Sequence, residues 1–181
     1  MISNIITKGI NGVPNVPGDK SISHRSIIIP SISKGTCEIN NILKSADVLH
    51  TLDAFKSMGV SITENKEKLL IHGKGLTALC ESKNPIYLGN SCTSARLLTG
   101  LLSAQKFKSV LIGDKSLSKR PMGRISEPLT QMNAKINTTN GSLPLTIKSS
   151  SLKPVNIDLK IPSAQIKSGL LLAALNIQGE T

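Results

Sequence analysis

The strongest constraint on the fold of this chain is an internal repeat. Residues 18–25 (GDKSISHR) match residues 89–96 (GNSCTSAR), so the first glycine and the last arginine of the segment both recur 71 positions later. A third copy begins with residues 161–168 (IPSAQIKS), and we expect the chain to end partway through it. A period of about seventy residues exceeds that of the common solenoid units, which indicates a supersecondary unit repeated a few times around one core.

The same order of patterns follows the first two copies. An apolar run of helical length, at 27–32 and again at 97–102, precedes a short polar break at 33–36 and 105–108. A strand candidate comes next, at 37–39 and 110–112, and then a second amphipathic stretch. The third copy has its own apolar helix pattern at 169–175. We therefore predict an α/β (α+β) fold whose unit is strand, turn, helix, strand, helix, strand.

Finer predictions concern the first copy and the segment before it. A strand at 4–10 leads into a loop that contains Pro14 and Pro17. Strands at 61–63 and 69–71 are expected to pair as a hairpin. An amphipathic helix, capped by Ser45 or Asp47, is expected to end at Gly59. Its apolar face comprises Val48, Leu49, Leu52, Phe55 and Met58.

The start of each copy carries groups suited to an anion. Lys20, two serines and Arg25 stand where the first helix is about to begin. The N–H groups at a helix start are unpaired and lie at the positive end of the helix dipole, so they attract anions, and nearby cations add to this effect. The same residues also fit an ordinary N-cap followed by a solvated lysine and arginine. The repetition of the segment favours the anion site.

Residues 113–124 (GDKSLSKRPMGR) form a basic loop between the strand and the second helix of the second copy. The loop holds four cations close together, at Lys115, Lys119, Arg120 and Arg124. As a solvated loop it needs no special explanation. Beside two helix starts that can bind anions, it becomes a candidate second wall of a phosphate or carboxylate site.

The net charge of +11 raises the question of nucleic acid, because a basic surface attracts phosphate regardless of sequence. However, the lysines are scattered, and no run of five or six basic residues occurs. The chain has one Tyr, two Phe and no Trp, so it lacks stacking surfaces for single strands. We expect a solvated lysine-rich surface and small anionic substrates, with no nucleic acid; a basic nucleic-acid-binding domain is the alternative.

The remaining composition bears on compartment and metals. Cys37, Cys80 and Cys92 are an odd number without metal-ligand spacing, which predicts a reducing compartment and no metal site. His50 and His72 fit surface or internally bonded histidines. Neither a signal-peptide pattern nor an uncharged run long enough to cross a bilayer is present. We therefore expect a cytoplasmic protein with no membrane partner.

Four segments together resemble the enolpyruvyl transferase family, in particular its shikimate-pathway branch. They are residues 17–25 (PGDKSISHR), 88–97 (LGNSCTSARL), 119–124 (KRPMGR) and 162–168 (PSAQIKS). The segments follow the family's order and register, and the resemblance extends over the whole chain. The sister enzymes that act on UDP-N-acetylglucosamine lack the Gly-Asp-Lys-Ser-x-Ser-x-Arg form.

The resemblance implies a fold and a reaction. The family has two inside-out α/β barrel domains, each built from three βαβαββ copies. On that pattern residues 1–17 belong to the other domain, and 18–181 form an incomplete N-terminal domain with copies at 18–88 and 89–160 and a truncated third copy at 161–181. The implied reaction moves the enolpyruvyl (carboxyvinyl) group of phosphoenolpyruvate to the 5-hydroxyl of shikimate 3-phosphate, without metal or organic cofactor.

The resemblance also implies roles for individual residues. Lys20 matches a catalytic lysine that contacts both substrates, where an ammonium offsets charge that moves in the transition state. Ser21 and Arg25 match groups that hold the shikimate hydroxyl and carboxylate, a geometry that suits a planar guanidinium. The other implied substrate-binding positions are Asn90, Cys92, Thr93, Arg96 and Arg120 around phosphoenolpyruvate, and Ser163, Ala164 and Gln165 around the shikimate phosphate and ring.

Two positions depart from the family pattern. Cys92 stands where the family motif has a glycine that lets phosphoenolpyruvate approach the backbone closely. We expect its side chain to weaken phosphoenolpyruvate binding and to exclude the slightly larger inhibitor glyphosate even more. Ala164 stands where some members place a second serine, so we expect one hydrogen bond to the phosphate to be missing.

The length of the family members raises an alternative to an active enzyme. They continue well beyond this length, and the additional part carries acidic proton-transfer residues and further arginines. General acid–base catalysis needs such groups within hydrogen-bond reach of the substrate. Asp19, Asp47, Asp53 and Glu127 fit caps and solvated charges instead. We expect the chain to be inactive alone, and to be either half of an enzyme with a separately encoded C-terminal half or a non-catalytic remnant.

Overall fold

The computed structural model describes residue 9, residues 11–65 and residues 68–181. The strand predicted at 4–10 lies outside these residues, apart from Gly9. The segment 11–19 is mostly exposed and contains neither helix nor strand. Among the described residues, regular secondary structure therefore begins at the first copy of the repeated motif.

The first two copies of the repeat contain corresponding elements. The first copy comprises α1 (Lys20–Ile32), β1 (Lys34–Asn40), α2 (Ala46–Ser57), β2 (Ser61–Asn65) and β3 (Lys68–Lys74). The short strand β4 (Ile86–Tyr87) closes the span assigned to the first copy. The second copy comprises α3 (Cys92–Ser103), β5 (Ser109–Ile112), a short 3-10 helix (Leu117–Lys119), α4 (Gly123–Gln131), β6 (Lys135–Thr139) and β7 (Ser142–Lys148). The third copy is represented by α5 (Ala164–Ala174). The predicted alternation is confirmed, although β1 begins inside the segment predicted as a polar break.

The sheets of the two copies have the same strand order. In the first sheet β3 lies between β1 and β2 and is antiparallel to both, which confirms the predicted hairpin. In the second sheet β7 lies between β5 and β6 in the same way, and β4 adds to β5 as a parallel neighbour. The predicted α/β class is confirmed. The described strands form two open sheets rather than a closed barrel.

Local chemistry accounts for the ends of several elements. Asn140 and Gly141 join β6 to β7 with φ values of 50° and 75°, as the left-handed positions of a tight hairpin require. Gly59, at φ 87°, follows the end of α2, where a left-handed residue commonly terminates a helix. Both turns follow from sequence, because asparagine and glycine reach this backbone conformation at little cost.

The first helices of the three copies, α1, α3 and α5, pack together. Helix α3 lies against α5 over most of its length, and the two backbones touch where Gly100 faces Gly169. A Cβ atom on Gly100 would stand 1.9 Å from the carbonyl oxygen of Gly169. Glycine at this crossing therefore allows the two helices to run close enough for their first turns to meet.

The core is made of leucine and isoleucine side chains between these helices and the sheets. Helix α2 buries Val48, Leu52 and Phe55 as predicted, and Met58 just beyond it is buried as well. Leu49 is 39% exposed, so its predicted burial is wrong. It lies about 100° around the helix from Val48, at the margin of the apolar stripe. Within the described part of the chain, no helix is both long and apolar enough to span a bilayer.

Candidate functional site

Each of the three central helices begins with a side-chain cap. The Asp19 carboxylate accepts a hydrogen bond from the Ile22 amide at 2.7 Å, so its prediction as a cap is confirmed. The Ser91 and Ser163 hydroxyls cap α3 and α5 in the same manner. Capping uses one amide of each first turn and leaves other N–H groups at the helix start free to bind a ligand.

Side-chain hydrogen bonds join the start of α5 to both other helix starts. Arg96 of α3 donates from Nη1 to Gln165 Oε1 at 2.6 Å, and Gln165 donates from Nε2 to Thr93 Oγ1 at 2.9 Å. Arg25 of α1 donates from Nη2 to Ser168 Oγ at 2.9 Å. These partners are separated by 69 to 143 positions in the sequence, yet all lie within the first two turns of their helices. The structure thus places three helix starts side by side.

Lys20 forms an ion pair with Asp47, in the first turn of α2. The Nζ atom lies 2.5 Å from Asp47 Oδ2, and the two side chains are 52% and 19% exposed. Asp47 was expected to be a cap or a solvated charge, and this expectation is wrong, since tertiary packing directs the carboxylate at the lysine. Ser45 occupies the cap position of α2 but makes no capping bond with its side chain. The pair holds the Lys20 ammonium beside the first turn of α2.

The basic loop lies beside the start of α3. Arg120 donates from Nη2 to Asn90 Oδ1 at 3.2 Å. The segment predicted as one loop is more ordered than expected, because Asp114 accepts from the amides of Ser116 and Leu117 and induces the short 3-10 helix. Arg124 lies in the first turn of α4 rather than in the loop. Arg120 is the loop cation that the structure brings to the helix starts.

The eleven site residues named from the sequence fall into three classes of exposure. Those that are exposed are Lys20, Ser21, Asn90, Arg120 and Ala164; those that are half-buried are Arg25, Cys92, Arg96, Ser163 and Gln165; Thr93 is buried. Every one of them belongs to a helix start or to the adjoining turn and loop. The Nε atom of Arg96 is buried and has no hydrogen-bond partner within the described structure. The site therefore combines two exposed cations, Lys20 and Arg120, with the half-buried guanidinium groups of Arg25 and Arg96.

A buried polar cluster lies under the exposed cations. It consists of His24, Thr51, Ser91 and Ser94, each of them fully buried. Burial lowers the pKa of His24 from 6.5 to about 4; the Asp47 carboxylate opposes this, and Lys20 and Arg25 add to it. The imidazole is therefore neutral at physiological pH. The sequence analysis placed His24, Ser91 and Ser94 in the repeated motif but did not predict that they are joined, and it did not consider Thr51. Thr51 lies one helical turn after Asp47 and so shares its face of α2.

His50 is a second residue whose place was missed. It was expected to be a surface or internally bonded histidine, and that is wrong because its ring lies half-buried against the turn that opens the second copy and its buried Nδ1 has no hydrogen-bond partner in the described structure. A Cβ atom on Gly89 would lie 2.3 Å from the ring, and the Tyr87 ring meets the His50 ring edge-on at 5.2 Å between centroids. Gly89, at φ 54°, thus allows both the turn and the close approach of the ring. No sequence signal connects His50 to Gly89.

The charges of the site define its ligand class. Lys20, Arg25, Arg96 and Arg120 surround three helix starts, and Asp19 and Asp47 are each engaged in a cap or an ion pair. Such a constellation suits a small molecule that carries phosphate or carboxylate groups, since fixed amides and guanidinium groups bind both anions. The fold and the site thus define a repeat-built α/β domain whose helix starts carry groups suited to small anionic molecules.

Comparisons with known proteins agree with this class. The family model of EPSP synthase (3-phosphoshikimate 1-carboxyvinyltransferase) matches residues 6–181. A 3-phosphoshikimate 1-carboxyvinyltransferase of Ruthia magnifica is 51% identical over 176 residues, and one of Leuconostoc citreum is 49% identical over 175. The structure of EPSP synthase from Acinetobacter baumannii superposes with a TM-score of 0.90 at 50% identity over 93% of this chain. The chain belongs to the EPSP synthase family.

The matches cover nearly all of this chain but less than half of each relative. They include 97% and 96% of this chain, but only 40% and 41% of the Ruthia and Leuconostoc proteins. The Acinetobacter structure is covered over 39% of its chain. The chain thus spans about two fifths of the length of the relatives that it matches.

Proposed function

We propose that this chain forms the shikimate 3-phosphate side of an enolpyruvyl transferase site. The reaction transfers the enolpyruvyl group of phosphoenolpyruvate to the 5-hydroxyl of shikimate 3-phosphate, in the formation of aromatic amino acids. The observation that carries the proposal is the set of hydrogen bonds that gathers the starts of α1, α3 and α5 around four cations. Membership of the family supplies the identity of the two anionic substrates.

The proposed roles are those that the resemblance to the family implies, and the hydrogen bonds between the helix starts support them. Lys20 contacts both substrates and offsets the charge that develops when the protonated double bond is attacked. Ser21 and Arg25 hold the hydroxyl and carboxylate of shikimate. Ser163 and Gln165 bind the phosphate and ring at the start of α5, with Ala164 contributing only its backbone amide. Asn90, Cys92, Thr93, Arg96 and Arg120 form the wall that faces phosphoenolpyruvate.

Proton transfer is proposed to depend on groups outside residues 18–181. Addition to phosphoenolpyruvate and the elimination that follows each need a general acid or base within hydrogen-bond reach. Asp19 accepts from the first turn of α1, and Asp47 is held by Lys20. Neither carboxylate is free to shuttle a proton. We therefore expect this chain to bind shikimate 3-phosphate without turning it over.

The domain layout is likewise a proposal. Residues 18–88, 89–160 and 161–181 are assigned to three successive copies, and residues 1–17 to the second domain of the enzyme. Residues 11–17 are exposed, and Asn41 donates a side-chain hydrogen bond to the Val16 carbonyl at 3.4 Å; this exposure supports the last assignment. The three cysteines are unpaired, which supports a place in the reducing cytoplasm.

A partner chain is the second candidate, favoured by an apolar groove between α5 and α1. Helix α2 bridges α1 and α3, and α4 packs against α3 and α5, so the second helix of each copy covers one seam between first helices. The third seam has no such cover within the described residues and exposes Ile29, Leu171 and Leu175. We propose that an amphipathic helix from the rest of the enzyme, in the same or a separate chain, packs there.

Calorimetric titration with shikimate 3-phosphate tests the main proposal. The chain is titrated alone and after addition of the C-terminal part of a relative as a second chain. We expect saturable binding in at least the second case, and Lys20→Met should weaken it at least about tenfold. Lys106→Met, an exposed lysine near the other end of α3, is the matched control and should leave affinity unchanged.

Two outcomes would count against the proposal. Absence of binding in both titrations would make the chain a non-catalytic remnant. Equal losses for the Lys20 and Lys106 variants would indicate non-specific attraction of the phosphate to a basic surface.

A further inference from the structure

The buried cluster beneath the site is one connected hydrogen-bonded network. His24 Nδ1 lies 2.8 Å from Thr51 Oγ1 and 3.3 Å from Ser94 Oγ. Thr51 and Ser94 are 2.6 Å apart, and Ser94 is 2.7 Å from Ser91. These four residues come from α1, from α2 and from the start of α3. The network therefore joins three elements that are distant in sequence.

All buried N–H and O–H donors of the network are paired when His24 is protonated at Nδ1, and Thr51 Oγ1 is then the nearer acceptor, at 2.8 Å against 3.3 Å for Ser94 Oγ. His24 donates from Nδ1 to Thr51 Oγ1, and Thr51 donates to the backbone carbonyl of Asp47 at 3.2 Å. Ser94 donates to Thr51, and Ser91 donates to Ser94. His24 Nε2 is buried without a partner. If Nε2 carried the proton, a buried donor would be left unpaired, which is rarer and costlier than an unpaired acceptor.

Each end of the network meets a group of the candidate site. Thr51 bonds the backbone of Asp47, whose carboxylate holds Lys20. Ser91 is the cap of α3 and stands between Asn90 and Cys92. His24 directly precedes Arg25 on α1. A change in the network would therefore alter three segments that carry candidate site residues, without any contact between the network and a ligand.

We infer that His24, Thr51 and Ser94 are positioning residues, which fix the first turns of α1 and α3 and the Lys20–Asp47 pair in the arrangement that receives the anionic substrate. Thr51 is the hub, because it bonds His24, Ser94 and the backbone of Asp47 at once. The inference rests on the proposed function for the identity of the ligand. The claim about the helix starts is independent of that identity.

Three substitutions distinguish an effect on the position of the helix starts from a general loss of stability. Thr51→Val removes the hub hydroxyl at nearly constant volume, and Thr51→Ser restores it. Thr99→Val is the matched control, because Thr99 is as fully buried and donates within its own helix, to the Ala95 carbonyl at 2.6 Å. Stability is measured by urea unfolding, affinity by titration with shikimate 3-phosphate, and local opening by hydrogen exchange of the Ile22 and Ser94 amides.

We expect Thr51→Val to weaken shikimate 3-phosphate binding about tenfold and to speed exchange at Ile22 and Ser94. Thr51→Ser should restore both properties, and Thr99→Val should change neither. Nitrogen NMR of the wild-type chain should show His24 protonated at Nδ1. If the wild-type chain binds shikimate 3-phosphate neither alone nor with the C-terminal part of a relative, the proposed function fails, and the exchange data still decide the inference.

The inference is overturned if Thr51→Val and Thr99→Val change exchange at the two amides equally. It is also overturned if the wild type binds and Thr51→Val binds as tightly, or if Thr51→Ser fails to restore the wild-type properties. Protonation of His24 at Nε2 would contradict the donor arrangement on which the hub role of Thr51 depends.

Discussion

The buried imidazole of His24 makes the stability of the fold depend on pH. Its pKa is about 4 in the folded chain, because burial disfavours the charged form, against 6.5 when it is exposed to water. Between these values the unfolded chain binds a proton that the folded chain does not. The stabilisation is therefore complete above pH 6.5 and is lost as the pH falls towards 4.

We expect this residue to lower the free energy of unfolding by about 2 kcal/mol between pH 7 and pH 5. Urea unfolding at both pH values measures the loss, and His24→Asn should abolish that part of it. The matched control is His72→Asn on β3, where the histidine bonds Thr36 near the sheet surface. Equal pH dependence in the wild type and in His24→Asn would contradict the prediction.

Cys92 is the residue at which the sequence analysis predicts a departure from the glycine of the family motif. It is the first residue of α3, is half-buried and follows the cap Ser91. Under the proposed function, Cys92→Gly should raise the affinity for phosphoenolpyruvate several-fold and that for glyphosate more strongly, because the backbone becomes accessible. Titration of the reconstituted protein measures both affinities.

Cys92→Ser is the matched control for that prediction, because it keeps a side chain of nearly the same size. It should leave both affinities close to those of the wild type. If the glycine and serine variants bound phosphoenolpyruvate equally well, crowding by Cys92 would not be the cause of weak binding.

At the scale of elements, the crossing of α3 and α5 decides whether the helix starts can meet. Gly100→Ala would place a methyl group 1.9 Å from the Gly169 carbonyl oxygen, so the helices must separate. We expect a loss of about 1–3 kcal/mol or more in the free energy of unfolding, as in other overpacked cores. Urea unfolding measures the loss.

Gly123→Ala in α4 provides the matched helical control. A Cβ atom there would approach only Glu127 Oε1, at 2.8 Å, and this is the far end of a flexible side chain. The control should be nearly neutral or slightly stabilising, since alanine favours a helix more than glycine does. A Gly100→Ala variant as stable as Gly123→Ala would mean that the two helices do not pack as tightly as described.

The elements themselves were largely predictable because their signals are local. Helix starts follow from Asp19, Ser91 and Ser163, each placed before an apolar run. The β6–β7 turn uses an Asn-Gly pair, which favours its positive φ values. The exposure of Leu49 was not predictable, because it depends on which neighbour covers the margin of the apolar stripe. The position of Arg124 in a helix was not predictable either, because it depends on how the neighbouring elements pack against the loop.

At the scale of the whole molecule, the repeat leaves an apolar groove between α5 and α1, because no second helix covers this seam within the described residues. It exposes Ile29, Leu171 and Leu175, which are 54%, 56% and 57% accessible. We expect Leu171→Glu to prevent association with the C-terminal part of a relative, because burial of the carboxylate in an apolar seam is unfavourable. Sedimentation of the mixed chains measures association.

The same substitution should leave the stability of the isolated chain within about 0.5 kcal/mol, because the side chain is exposed there. Leu49→Glu, on the exposed margin of α2, is the matched control and should associate normally. Unchanged association of the Leu171 variant would show that the rest of the enzyme does not pack in this groove.

The sequence by itself determined the repeat, the order of its elements, the starts of α1, α3 and α5 and the chemical types gathered at each of these starts. These properties depend on spacing and composition within a few residues, where backbone geometry and hydrogen bonding act directly. The repeated motif also specified which residues should face an anion, because one chemical pattern recurred in the same place before each helix.

Only the tertiary structure decided how those starts are joined. Arg25 meets Ser168 across 143 positions, Lys20 meets Asp47 across 27, and Thr51 meets Ser94 across 43. The buried network of His24 and the contact of His50 with Gly89 arise in the same way. The physical reason is that the packing of whole helices decides which side chains meet. Gly100 and Gly169 set the distance between α3 and α5, and no local sequence pattern encodes that distance.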